Sequence, residues 1–399
     1  MNTPLKLTNA QARLLFLNRQ ELCRPPTPKL THDDLLELIR ALGFVQVDSI
    51  NTVARAHHMI LFARNQTYQP QQLKRLLETE RSLFEHWTHD AAIIPTDFYV
   101  YWKHRFVREE ESLLNRWRTW RREGFEDALA TVFEKVKRDG PTRTRDIQTK
   151  REKKGDGWWD WKPEKTALEY HWRTGNFAIS GRDGFQKIYD HTENVIPAIH
   201  RDANVQVKTF VDWACQSALA RLGVATSGEI AAFWALVTPK ESAQWVREQI
   251  AEKKLIEVVV ESADGTPARK AVATSSLAEE LGALAPPQKR LRVLSPFDPL
   301  IRDRKRCLRL FGFDYRIEVF VPEAKRQYGY YVFPLLEAAN LIGRIDMKGN
   351  KDTLEVKKIW LEPGVKLGLN RERALNAELE RYRRFIGAKS IVYAPDFTA

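Results

Sequence analysis

The chain has 399 residues and a mass of 46.4 kDa, which at roughly 150 residues per domain allows two to three compact units with cores of their own. Cys23, Cys215 and Cys307 stand far apart without a C-x-x-C pair, which excludes a disulfide framework and a thiolate zinc or iron–sulfur site and fits a reducing compartment. Lys and Arg number 64 against 52 Asp and Glu, a formal charge of +12 that points to a polyanionic partner, nucleic acid first, with a merely basic solvated surface as the alternative.

In chain order, Thr8 or Asn9 offers an N-cap to a first helix through Ala10, Ala12, Leu14, Leu15 and Leu17, and Pro25-Pro26 interrupts it. A second helix starts at Thr31, carries an apolar stripe from Leu35 to Leu42 and ends at Gly43, which gives a helix-turn-helix. Phe44 to Ile50 then reads as extended. Residues 71 to 135 read as mostly helical. Gly140 to Ile147 is a turn into a short helix, followed by a basic, tryptophan-rich loop from Lys150 to Trp161. The helix Thr166 to Gly175 precedes strands Asn176–Ser180 and Phe185–Tyr189, with Arg182 at the tip between Gly181 and Gly184, the order of a winged helix. A third copy of that pattern runs from Leu222 through helices ending at Leu236 and Lys254 to a hairpin turning at Asp264-Gly265. After Pro286-Pro287, segments Ile317–Val321, Tyr328–Pro334, Leu341–Met347 and Leu354–Trp360 read as strands, and Asn370–Phe385 as a last helix.

The expected architecture is therefore α+β, with three tandem winged-helix units and a small C-terminal β-barrel-like domain. The boundaries fall at 1–138, 139–205, 206–285 and 286–399. No apolar run approaches the ~20 residues that span a bilayer, and Met1 to Leu15 lacks the features of a secretion signal, so a cytoplasmic, soluble protein without membrane contact is expected.

Gln46-Val47-Asp48 is the sharpest chemical signal. In an extended segment residues i and i+2 face one side, so Gln46 and Asp48 come together while Val45 and Val47 anchor the other face. On a helix they lie about 200° apart and cannot cooperate. An amide beside a carboxylate can orient one water and take its proton, or face a developing cation. An ordinary polar strand face has the same pattern.

The stretch from Gln46 through His57-His58 and Phe62-Ala63-Arg64 resembles the start of the winged-helix DNA glycosylases AlkZ and YcaQ (AlkX). So do Glu85-His86-Trp87-Thr88-His89-Asp90-Ala91-Ala92, Leu294-Ser295-Pro296-Phe297-Asp298-Pro299, Lys325-Arg326-Gln327-Tyr328-Gly329-Tyr330-Tyr331 and Gly343-Arg344-Ile345-Asp346-Met347-Lys348. The resemblance covers essentially the whole chain. It implies removal of N7-alkylguanine-type purines and unhooking of interstrand crosslinks, with catalytic roles on Gln46 and Asp48. The Gln-x-Asp form matches the YcaQ branch. No metal or other cofactor is implied. A monofunctional enzyme acting as a monomer on double-stranded DNA, associated with the nucleoid through that binding, is expected, since no lysine lies inside the triplet to form a Schiff base.

Candidate DNA clamps are Arg143, Arg145, Lys150, Lys153 and Lys154, Arg182 on the wing, Lys325 and Arg326, and the run Lys289 to Arg309. In that run Arg302, Arg304, Arg306 and five further positives outnumber Asp298 and Asp303. Any one of them also reads as a solvated surface charge. His57, His58, His86 and His89 lack a metal-binding register and read as packing or lesion recognition. Trp158, Trp159 and Trp161 either stack on unpaired bases or pin their loop. Asp346 with Glu355-x-Lys357 permits a weak magnesium-nuclease reading, and a non-catalytic winged-helix regulator is the alternative from another class.

Overall fold

Side-chain caps set the helix starts. Thr8, Thr31, Thr226 and Thr238 each accept a backbone N–H three residues on, and the residue there reaches back, which opens the helices Asn9–Arg19, His32–Leu42, Ser227–Trp234 and Pro239–Ala251. Gly43, at φ +89°, ends the second; a Cβ there would lie 2.5 Å from Arg221 Nε and 2.6 Å from Trp234, so only glycine turns the chain into the strand that follows. The computed structural model describes residues 4–120, 125–147 and 163–397.

Among these residues, β1 (Leu5–Leu7), β2 (Val45–Gln46), β3 (Leu83–Trp87), β4 (Ala91–Pro95), β5 (Thr142–Arg143), β6 (Phe177–Asp183), β7 (Gln186–His191), β8 (Leu255–Val260) and β9 (Arg269–Thr274) form three small sheets. Their orders are β2-β4-β3, β5-β7-β6 and β1-β8-β9. Strands β10 (Leu291–Val293), β11 (Val332–Glu337), β12 (Asn340–Gly349), β13 (Thr353–Leu361) and β14 (Ser390–Tyr393) make one five-stranded sheet in that order, packed on the helix Leu369–Ile386. The mixed α+β class agrees with expectation. The C-terminal sheet is open, half a barrel, because its edge strands β10 and β14 do not pair with each other.

Several elements differ from the sequence reading. The stretch expected to be mostly helical contains the β3–β4 hairpin, whose residues are buried on both faces and therefore lack the polar alternation that marks a half-exposed strand. Ile317–Val321 is loop, and the helix Arg304–Phe311 was not anticipated. The second hairpin turns at Gly184, φ +62°, so Arg182 sits on β6 and not at the tip. The N-terminal β1 runs parallel to β8, Leu5 opposite Val258, which ties the chain start to the third sheet.

The sheet β2-β4-β3 divides two cores. Phe44, Phe84, Ala92 and Ile94 join the cluster built on the helices Asn9–Arg19, Val207–Leu222 and Ser227–Trp234. Val45, Val47, Leu83 and Ile93 join the cluster shared with Val293, Phe333 and Ile345 of the C-terminal sheet. The buried pair Arg64–Asp298, at 2.7 and 3.0 Å, locks the helix Ala56–Arg64 to that C-terminal unit. Among the described residues no helix is long and apolar enough to cross a membrane.

Candidate active site

Strand β2 comprises only Val45 and Gln46, but the ladder continues one residue further, with Val47 N–H donating to Ala91 O at 2.8 Å. Gln46 lies opposite Ala92, which lies opposite His86 in β3. Continuing that register sets Asp48 opposite Asp90. Val45 and Val47 enter the core shared with the C-terminal sheet, Gln46 ends the strand, and Asp48 lies two residues on, outside any strand. Gln46 is 7% exposed, and its amide makes no hydrogen bond to any described residue. Asp48 is half-buried and accepts the Ile50 N–H at 2.8 Å on Oδ1.

The electrostatics favour a proton acceptor. Burial raises the Asp48 pKa, the Ile50 N–H opposes that shift, and the neighbouring Asp90 carboxylate adds to it. Asp90 is likewise raised by burial, against its bond from Ala91 N–H and the pull of Lys187. Tyr331, from the C-terminal unit, feels the Asp48 charge as well as burial, and both oppose its ionisation. A carboxylate held at reduced solvation beside an unpartnered amide can accept a proton from one water and face a developing positive charge. Asp90 and Tyr331 lie within family-like motifs that carry no sign of a role for either residue. Strand pairing and the docking of the C-terminal sheet bring them to Asp48, and neither is readable from local spacing.

The predicted cations separate into distinct environments. Arg143 lies 3.0 Å from Asp146 and 2.9 Å from Asp183, and Arg145 lies 2.7 Å from Asp183. Arg182 forms a bidentate pair with Glu85 at 2.9 and 2.5 Å, its side chain 17% exposed. Arg302 donates to Phe233 O at 3.0 Å, and Arg304 to Ile301 O and Pro296 O at 2.8 Å each. Arg306 donates to Leu222 O at 2.9 Å and also faces Glu229, as Arg309 does. The run Lys289 to Arg309 is thus not one solvent-facing patch: Arg292, Arg306 and Arg309 are only 1%, 3% and 6% exposed, because carbonyls and Glu229 draw them inward. Lys325 is exposed, whereas Arg326 donates to Val321 O at 2.9 Å and stands over the Tyr330 ring. Lys150, Lys153, Lys154, Trp158, Trp159 and Trp161 lie outside the described residues.

His58 and His86 pack: His86 Nε2 lies 2.8 Å from Trp172 O and His58 Nδ1 lies 2.8 Å from Tyr68 Oη, while burial holds the pKa of His86 at about 3; His89 is exposed. Asp346 pairs in register with Lys358 and Glu355 with Lys348. Among the described residues no group of three or more His, Cys, Asp or Glu is placed to hold a metal ion.

The profile of a family described as DNA glycosylase AlkZ-like matches residues 39–385. Among solved structures, the Streptomyces sahachiroi DNA glycosylase AlkZ is similar, with a TM-score of 0.65 and 14% identity over 99% of this chain and 100% of that one. At that identity the likeness concerns the fold.

Proposed function

The chain belongs to the AlkZ-like DNA glycosylase family, and from that premise we propose that it hydrolyses the N-glycosidic bond of N7-alkylguanine-type purines in duplex DNA, unhooks interstrand crosslinks and leaves abasic sites. N7 alkylation makes guanine cationic, which weakens its bond to the sugar, so little acid assistance to the leaving base is required. Departure leaves an oxocarbenium-like sugar. Asp48 stabilises that charge and takes a proton from the water that Gln46 orients. The observation that best supports this reading is that Gln46, which ends β2, is buried without a side-chain hydrogen bond to a described residue, two positions before a half-buried Asp48 whose pKa burial raises.

A crosslinked adduct cannot swing into a snug pocket as in ordinary base flipping, so the enzyme works from a groove of deformed duplex as a monofunctional monomer. Three helix-and-hairpin units act as tandem winged helices along the DNA, and the protein works in the cytoplasm at the nucleoid.

The test is incubation with duplex carrying N7-methylguanine in EDTA, followed by alkaline cleavage of abasic sites. Wild type gives alkali-dependent breaks at the lesion, while Asp48→Asn and Gln46→Ala lose about 10²–10⁴-fold in single-turnover rate and still bind DNA. Wild-type rates in both variants overturn the assignment. Absence of breaks with the wild-type chain favours a non-catalytic winged-helix regulator.

A further inference from the structure

Val47, the residue between the two candidate catalytic side chains, lines a cavity of about 330 Å³ together with Arg55, His57, Arg182, Phe185 and the carboxylates Glu78 and Glu85. We propose that this cavity is an oxyanion pocket for a phosphate group, supplied by the DNA backbone next to the damaged nucleotide. The proposal rests on the DNA-acting reading above.

Charge accounting comes first. Arg182 is neutralised by Glu85, and Lys74 lies 3.7 Å from Glu78. Arg55 alone has no carboxylate or carbonyl partner among the described residues, and its Nε is buried without one. Burial and the neighbouring Arg182 both disfavour its charge. A guanidinium in that position is relieved by an oxyanion, which supplies the charge-assisted hydrogen bonds the protein withholds.

Two further features aim donors at the same place. Arg55 is the N-cap residue of the nine-residue helix Ala56–Arg64, which no side chain caps; the His58 N–H already bonds to Arg55 O at 3.0 Å, which leaves the N–H groups of Ala56 and His57 without a capping partner. His57 is 8% exposed, its Nδ1 is enclosed without a partner, and neither ring nitrogen bonds to a described residue. Burial first, then His58 and the two arginines, hold His57 neutral, leaving it one N–H to donate. The Phe185 ring, 4.5 Å from the Arg55 guanidinium carbon and 4.3 Å from that of Arg182, holds both planar groups in place. β2 is an edge strand of its sheet, and under this proposal the backbone of the damaged strand passes that edge beside Arg55.

The experiment measures binding, not turnover. A duplex with a tetrahydrofuran abasic analogue is titrated by fluorescence anisotropy across a KCl series, with single neutral methylphosphonates walked along the damaged strand. Wild type is expected to lose affinity about ten-fold at one linkage beside the lesion. In Arg55→Gln that substitution is silent and the salt slope is smaller by about 0.9. Arg55→Lys restores the slope. Thermal shift with inorganic phosphate alone separates the sources: an Arg55-dependent rise without a methylphosphonate effect assigns the pocket to a free anion. If neither effect depends on Arg55, the pocket is refuted. Both readouts use wild type as well as variants, and far-ultraviolet circular dichroism checks the variant's fold. Excision with no Arg55 effect sinks this inference alone, whereas an Arg55 effect without excision sinks the glycosylase reading alone.

Discussion

Removing one carboxylate, in Asp298→Ala, is the most informative perturbation of the scaffold that seats β2. The Arg64 and Asp298 side chains are 1% and 0% exposed and meet through two hydrogen bonds. Arg64 also donates to Gln20 O and Ile60 O, both at 3.0 Å, and Asp298 accepts the Leu300 N–H at 3.0 Å. Asp298→Ala therefore strands a guanidinium in the interior with two acceptor bonds lost and uncaps the Leu300 turn. Breaking one side of a buried pair costs about 3–5 kcal/mol, against a total of about 5–15 kcal/mol for a typical fold. The apolar exchange Arg64→Met with Asp298→Leu leaves no uncompensated charge and is expected to cost far less than either single change. Urea unfolding followed by tryptophan fluorescence and circular dichroism, with non-coincident transitions treated separately, completes the double-mutant cycle. The reasoning is refuted if Asp298→Ala costs under about 1 kcal/mol, or if the double exchange equals the sum of the singles.

Asp48→Asn tests function against stability. Folding raises the Asp48 pKa, so its ionised form opposes folding above the folded pKa, and the penalty vanishes below the unfolded value of about 3.9. The variant is expected to have a higher Tm than wild type near pH 7 and an equal one near pH 3; a lower Tm at neutral pH contradicts the desolvation argument. The single-turnover rate of wild type should likewise fall with acid at a midpoint above that of an ordinary aspartate, and a rate unchanged down to pH 4 removes Asp48 as base. Gly43→Ala imposes a side chain at φ +89° against Arg221 and Trp234, which is expected to cost about 1–3 kcal/mol in thermal melts. An unchanged melt shows that the helix end repacks freely.

Residue order alone determined those parts of the molecule whose physics is local. Threonine caps and apolar stripes marked the helices at Asn9–Arg19 and His32–Leu42, glycine-containing turns after helices marked the hairpins β6–β7 and β8–β9, and Gln46-Val47-Asp48 stood out because alternation in any extended segment brings its first and third residues together. Tertiary structure decided the rest. Strand β2 is two residues long and is held by Ala92 and Ile93 of a hairpin buried on both faces, where hydrophobic alternation has no contrast to display. Whether an arginine meets water or a carbonyl depends on partners far along the chain, such as Leu222 and Glu229 for Arg306. Local sequence counts a charge, but only the packing of distant segments sets its solvation, and solvation decides whether that charge braces the fold, as Arg306 does, or is left for a ligand, as we propose for Arg55.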